Sequence, residues 1–466
     1  MHSHNRPTFR RTGLGRFSLA SVAGLAFLLG ACTSTPKPVP LTAEQRDLNL
    51  QSIDMVHARI KQRHFDPEKV GQAWDAKHAE MRIKVEQAQS MAEARAAMTE
   101  LIESLQQTHF GILPSDAYEG TDADEPSAGD KTSGERHASG ETGLELRRIG
   151  DDAVVTRVEP DSPAAAAGVK PGWAVESVDK RKAATLIARI EKLSAGKTAA
   201  PLVAATMLQT LAQGEVGQPL NYTFRAERDR TVNTSITPVL PIGKAQKFGN
   251  LPTMYLKTSR RIVPPGVGVL AFSIWFDPMK VNAELEALLN ECSDCQGIVI
   301  DLRGNIGGIG AMAMGVGRYF IDKPDQKLGT MIQREGKLNF VLNPAPRPFT
   351  KPLAILIDEV SASTSEIFAG GMQDLGRARV FGTRSPGAAL PSIVEILPNN
   401  DRLHYAFANY ISFKGQTLEG HGVIPDEPVA LSREALLAGN DPVLDAAVTW
   451  ITSQSVSTPN NPATNR

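Results

Sequence analysis

AILIDEVSASTSEIFAGGMQD, residues 354–374, is the stretch whose reading decides the fold. Ala354–Ile357 is an apolar, strand-like run that breaks at small residues and opens straight into a helical pattern, Ser363–Leu375. A strand that turns sharply into a helix lifts a side chain off the sheet end. It also points the free N–H groups of a helix N-terminus at the same place. Attack on a carbonyl needs both parts, a nucleophile and donors for the oxyanion. The same residues also read as a plain helix start, with Ser363 as N-cap and Glu366 closing a capping box. On this segment alone both readings stand.

Working outward, strands and helices alternate from about Gly266. Val267–Trp275 reads as a strand, Met279–Asn290 as a helix, Gly297–Leu302 as a strand and Ala311–Phe320 as a helix. Leu353–Ile357 is again a strand, and short strands continue to about Val429. This is the pattern of one α/β core, residues 245–435.

Three further segments carry chemistry. Asp301-Leu302-Arg303-Gly304-Asn305-Ile306-Gly307-Gly308 ends a buried strand with paired glycines, where backbone N–H groups approach a ligand unobstructed. A nucleotide-binding reading, Gly308-x-Gly310-x-x-Ala313 after a strand, competes there. It lacks the acidic residue expected about 20 positions on. Thr108-His109 closes the helical region, and His109 is the candidate base for a serine because imidazole titrates near working pH. Of the nine histidines, His404 and His421 are its rivals. Glu419-Gly420-His421-Gly422-Val423-Ile424-Pro425-Asp426 is a turn-rich segment in which Glu419 is placed to orient a base.

Upstream lies a compact β-rich unit, residues 141–232. Gly143-Leu144-Glu145-Leu146, Ala153–Val158 and Pro160–Trp173 resemble a PDZ domain. Ser162-Pro163 starts a short alanine-rich helix, Gly168 ends it, and Pro171-Gly172 turns into the next strand. In that family the loop before the second strand holds a peptide carboxylate, which implies a peptide-binding role for Thr142, Gly143 and Leu144. The stretch Arg181–Gly217 is longer than such domains usually have, so the groove is expected to be covered or reshaped. A purely architectural role stands beside the peptide-binding one.

The DLRGNIGG, SASTSEIFAGGMQD and EGHGVIPD segments, in this order behind a PDZ-like unit, resemble the C-terminal processing (tail-specific) serine peptidases and their relative, the tricorn protease. The resemblance covers roughly residues 100–430. It implies an α/β, Clp/crotonase-like peptidase core with an N-terminal helical region and an inserted PDZ domain. It implies Ser363 as nucleophile, with an oxyanion hole from Thr364 and one of Gly307 or Gly308. The processing peptidases take a lysine as base, but the matching stretch here, Ser385-Pro386-Gly387-Ala388-Ala389, carries alanine at that position. The tricorn-like branch uses a Ser-His pair and a glutamate instead. Thr108-His109 and Glu419 resemble these, Thr replacing Ser, so a relay Glu419–Thr108–His109–Ser363 is expected. A catalytically silent PDZ-containing binding or scaffold protein on the same fold is the alternative. A carrier of small hydrophobic ligands is a third reading.

The remaining segments set the context. Arg6, Arg10, Arg11 and Arg16 precede an apolar run, Phe17–Leu29, and Leu29-Gly30-Ala31-Cys32 resembles a bacterial lipobox. The expectation is a lipoprotein signal peptide over 1–31, lipidation of Cys32 and a tether over 32–41. The protein would then be lipid-anchored in the cell envelope, on the periplasmic face of the outer membrane. A helical region follows over 42–113, an acidic Gly/Ser-rich loop over 114–140, and a disordered tail over 455–466. Cys292 and Cys295 form a C-x-x-C pair, for which a small disulfide loop leads over reduced thiols or a metal site. With 50 Lys+Arg against 51 Asp+Glu there is no broad basic field for nucleic acid. Protein or peptide substrates are the expected partners, and neither a metal nor an organic cofactor is implied.

Overall fold

The computed structural model describes residues 40–115, 139–194 and 199–456. The signal segment, Cys32, the tether before residue 40, the loop over 116–138 and the chain beyond 456 lie outside the described residues.

The core is a sheet whose strands run, in spatial order, Thr258–Val263, Val267–Phe272, Gly297–Asp301, Leu353–Ile357, Arg379–Gly382 and Glu427–Pro428. The first pair is antiparallel and the others are parallel. Gly297–Asp301 and Leu353–Ile357 are buried at every position. A parallel strand covered on both faces reads as an unbroken apolar run for that reason. Ile298, Ile300, Ile355 and Ile357 face one core, shared with the helices Pro278–Glu291, Ala311–Gly317 and Thr364–Asp374. Val299, Ala354 and Leu356 face the other, closed by the helix Pro442–Val456. That last helix was not anticipated, and it runs two residues into the stretch read as a tail. Cys292 and Cys295 are joined as a disulfide where the helix Pro278–Glu291 ends.

The N-terminal helices are Ala43–Arg63, Gln72–Gln87 and Met91–Glu103. Their apolar faces, including Ile53, Met98 and Leu101, bury against Leu390, Leu403 and Tyr405 of the core. The strand Gly111–Leu113 then pairs with Arg402–Ala406, aligning Gly111 with His404. The helical region is therefore welded to the core through its last residues.

The middle unit has its own apolar centre, built on Leu146, Val155, Leu208, Tyr222 and Phe224. Its sheet runs Leu144–Ile149, Asp152–Val158, Ala174–Val178, Leu220–Arg225 and Thr231–Ile236, four residues past the expected boundary. Ser162 caps the short helix Pro163–Ala166 as anticipated. Within Arg181–Gly217 two helices form, Ala183–Ser194 and Ala200–Gln209, and the second lies against the edge strand Leu144–Ile149.

Candidate active site

Ser363 stands at the turn between Leu353–Ile357 and Thr364–Asp374, with φ +56° and ψ −114°. A non-glycine residue holds such a conformation only when its surroundings over-determine it. They do so here. Ser361 Oγ donates to Leu302 O at 2.8 Å, Ala362 N–H to Asn305 O at 3.0 Å, and Ser363 N–H to Ala388 O at 2.8 Å. Asn305, fully buried, donates from its amide to Phe272 O at 2.8 Å, and its Oδ1 accepts the Gly307 N–H at 3.0 Å.

The Gly307 N–H is therefore spent, which removes it as an oxyanion donor. Gly308 N–H and Thr364 N–H meet no protein acceptor among the described residues. The Thr364 hydroxyl donates to Gly308 O at 2.9 Å and holds the two segments together. A Cβ at Gly307 would sit 2.6 Å from Ser363 Cβ, so only glycine allows this approach.

Glu366 is fully buried under the turn. Its carboxylate accepts from Ser363 N–H at 3.1 Å, Ser385 Oγ at 2.6 Å, Gly387 N–H at 2.8 Å and Ala388 N–H at 2.9 Å. The capping contact expected of Glu366 is thus one of four bonds that pin residues 385–388 beside Ser363. Burial pushes its carboxyl up to about 7 against the pull of those donors. Ala388 packs with Leu202, Ala205, Val360 and Ala362, which leaves an apolar cluster where the processing peptidases would place a lysine.

His109 reaches the site from the opposite direction. His64, buried, bonds Gln107 Oε1 at 2.7 Å, and Phe110 is buried in the helical core. Between them Thr108 N–H donates to Glu419 Oε1 at 2.8 Å, and the Thr108 hydroxyl donates to Glu419 Oε2 at 2.9 Å. That hydroxyl lies 2.8 Å from His109 Nδ1. Its hydrogen goes to the carboxylate, so its oxygen accepts from Nδ1–H, which leaves Nε2 as a bare lone pair. Burial, then the nearby His404, push the His109 imidazole down to about 3. Burial also raises the Glu419 carboxyl.

His109 and Ser363 line one cavity of about 310 Å³. No hydrogen bond joins them. Leu113, Leu251, Met254, Ile274, Phe276 and Ile306 form much of its wall. Part of that wall, residues 248–252, lies at the tip of a hairpin closed by Lys244–Gln246 and Met254–Leu256. Asn250 Nδ2 ties this tip to Val394 O at 2.9 Å. Neither the hairpin nor His404 was assigned to the site from sequence. His404 meets His109 edge-on at 5.6 Å and bonds Ser392 Oγ at 2.7 Å. Apolar Phe248, Leu251 and Met254 in a Gly/Pro-rich stretch are the signal that could have found the hairpin, since such residues need cover. His421 is exposed and outside the cavity.

The Thr142–Leu144 loop differs from expectation. Thr142 N–H and its hydroxyl both donate to Ala212 O at 3.0 Å, so this residue has no N–H for a peptide carboxylate.

The sheet end thus presents a strained serine at a helix N-terminus, flanked by a glycine pair. Residues 266–429 match the family model described as Peptidase family S41. The chain is 26% identical over 312 residues to a carboxy-terminal-processing protease of Bartonella bacilliformis, covering 64% of this chain and 62% of that one. It is 24% identical over 297 residues to a probable CtpA-like serine protease of Staphylococcus epidermidis, covering 62% and 52%. It thus spans about half to three fifths of these relatives' lengths. The fold matches the photosystem II D1 C-terminal processing protease with a TM-score of 0.53 at 21% identity, over 88% of this chain and 97% of that one. Residues 266–429, the core of this chain, are thus similar to peptidase family S41.

Proposed function

We propose that this protein is a serine endopeptidase that hydrolyses peptide bonds of protein substrates with Ser363 as nucleophile and His109 as base. The observation that carries it is the chain Glu419–Thr108–His109, which leaves Nε2 unprotonated in the cavity that holds Ser363. Ser363 Oγ attacks the carbonyl carbon as His109 takes its proton. His109 returns that proton to the leaving amine, and water then completes hydrolysis by the same route. Glu419 and Thr108 keep the ring in one tautomer and stabilise the imidazolium. Gly308 and Thr364 N–H stabilise the oxyanion, for which one donor is worth about 100- to 1,000-fold in rate. Ser363 and His109 close to hydrogen-bond distance when substrate fills the cavity, since catalytic bonds often tighten only in the complex.

The reading extends to the middle unit as a PDZ-like insertion and to Cys32 as a lipid anchor on the periplasmic face of the outer membrane. The cavity's apolar wall suits an aliphatic or aromatic side chain flanking the scissile bond.

A fluorophosphonate probe tests the chemistry. The wild-type chain should be labelled, and Ser363→Ala and His109→Ala should not. A folded, unlabelled wild type supports the second reading, a catalytically silent binding protein. The absent Ser363–His109 hydrogen bond and the apolar cluster around Ala388 are what favour it.

A further inference from the structure

The printed names of the relatives, carboxy-terminal-processing proteases, raise the question of how this chain treats a substrate's free end. A PDZ-type unit reads such an end by adding the tail to an exposed strand edge and holding its carboxylate with backbone N–H groups. The edge in question is Leu144–Ile149, the outermost strand of the middle sheet.

That edge is occupied. The side-chain amide of Gln209 donates to Leu144 O at 2.7 Å and accepts from Leu146 N–H at 3.1 Å. One primary amide thus engages the Leu144 carbonyl and the Leu146 N–H, two groups that an added strand would need. The helix carrying Gln209, Ala200–Gln209, is anchored on both sides. Ala204 and Leu208 are buried in the middle unit, while Leu202 and Ala205 pack on Val360, Ala362 and Ala388 beside the nucleophile turn. A tail entering here would have to move a helix that also supports the catalytic loop.

The carboxylate end of the groove is partly taken up. Thr142 N–H is bonded to Ala212 O, Gly143 O accepts from Glu159 N–H, and the preceding strand Ser139–Glu141 pairs with Gln213–Glu215. Space remains as a cavity of about 230 Å³ lined by Gly143, Leu144 and Gln209. Its cations are already engaged. Lys257 Nζ lies 3.0 Å from Glu141, Arg157 lies 2.5 Å from Glu145, and Arg147 bridges Glu145 and Asp358 at 3.1 and 3.3 Å. Glu141, Glu145 and Glu159 all face this space, which disfavours a further carboxylate.

We infer that this protein selects substrates without reading a free carboxy terminus, because its own Gln209 fills the strand edge at which a tail would add. The inference deepens the peptidase reading, and its hydrolysis arm rests on it; the binding arm does not. The substrate class becomes internal, unfolded or extended segments of proteins, and their ends serve no better than their middles.

The test uses one peptide sequence ending in apolar residues, made as the free acid and as the amide. Anisotropy with the fluorescent pair on full-length Ser363→Ala should give equal affinities, or no binding by either, within about two-fold. Hydrolysis by the wild type should give equal kcat/KM. A preference of about tenfold or more for the free acid in either arm overturns the inference. If neither peptide is cleaved, the peptidase reading suffers while the binding arm still decides this point. The clasp itself is read by hydrogen exchange. In Gln209→Ala the Leu146 amide should exchange about tenfold faster or more, and unchanged protection would show that Gln209 is not what closes the edge.

Discussion

Thr108 and Glu419, 311 positions apart, are joined twice, through the threonine N–H at 2.8 Å and its hydroxyl at 2.9 Å. The backbone bond fixes where the His109 loop sits, and the hydroxyl bond fixes which His109 nitrogen carries the proton. Placement and tautomer are thus set by one carboxylate. The threonine methyl restricts χ1 and leaves this geometry intact.

Separating these two roles is the first prediction. Thr108→Val keeps the N–H bond and loses the hydroxyl, so kcat/KM should fall about 100-fold with little change in thermal stability. Thr108→Ser should stay within a few-fold of wild type. Equal activity in all three proteins, assayed on a fluorogenic peptide, would remove Thr108 from the relay.

The acid limb of the pH–rate profile is the second. With His109 pushed down to about 3, the base is neutral throughout the range from pH 5 to 8, and no loss of kcat/KM should centre on the ordinary imidazole value of 6.5. Stability follows the same sign. His109 and His404, the latter pushed down to about 4, have folded values below their unfolded ones. The unfolded chain therefore takes up protons first, and stability present above pH 6.5 is lost as pH falls toward those values. Glu366, pushed up to about 7, acts oppositely, with stability lost as pH rises from its ordinary 4.5 through 7. Chemical denaturation across pH should show His404→Gln losing less stability than wild type between pH 6.5 and 4.

Restoring the processing-peptidase lysine is the third. Ala388 is 2% exposed within Leu202, Ala205, Val360 and Ala362. Ala388→Lys would bury an unpaired ammonium there, costing roughly 3 kcal/mol or more. The melting temperature should fall and His109→Ala should not be rescued. Recovered labelling of Ser363 in the double variant would contradict this account.

Specificity is the fourth. The cavity beside Ser363 is walled by Leu113, Leu251, Met254, Ile274 and Phe276. In a peptide library, cleavage should concentrate next to large apolar residues, and Met254→Asp should lower kcat/KM for those peptides about tenfold or more. An unchanged profile would place the substrate side chain elsewhere.

Much of the core was legible because its signals are local. Leu353–Ile357 appears at the boundaries its apolar run marks, and Ser363 stands at the strand-to-helix turn because small residues and a helix start coincide there. His109 and Glu419 stood out as candidates by residue type, but joining them to Thr108 in one relay came only through resemblance, since nothing in their spacing links them. The choice between Gly307 and Gly308 was not legible at all. It turns on where Asn305 Oδ1 points, and that follows from Asn305 being held by Phe272 O.

By itself the sequence determined the strand–turn–helix that carries the serine, the two-faced apolar strands beneath it and the absence of a lysine at residue 388. Each of these depends on neighbours a few positions away, through side-chain periodicity and allowed backbone angles. The tertiary structure decided which imidazole nitrogen is free, which glycine N–H is already bonded, which hairpin walls the cavity and what fills the edge of Leu144–Ile149. Those answers depend on groups brought together by burial from opposite ends of the chain, and burial requires each polar atom to find a partner that sequence order does not name.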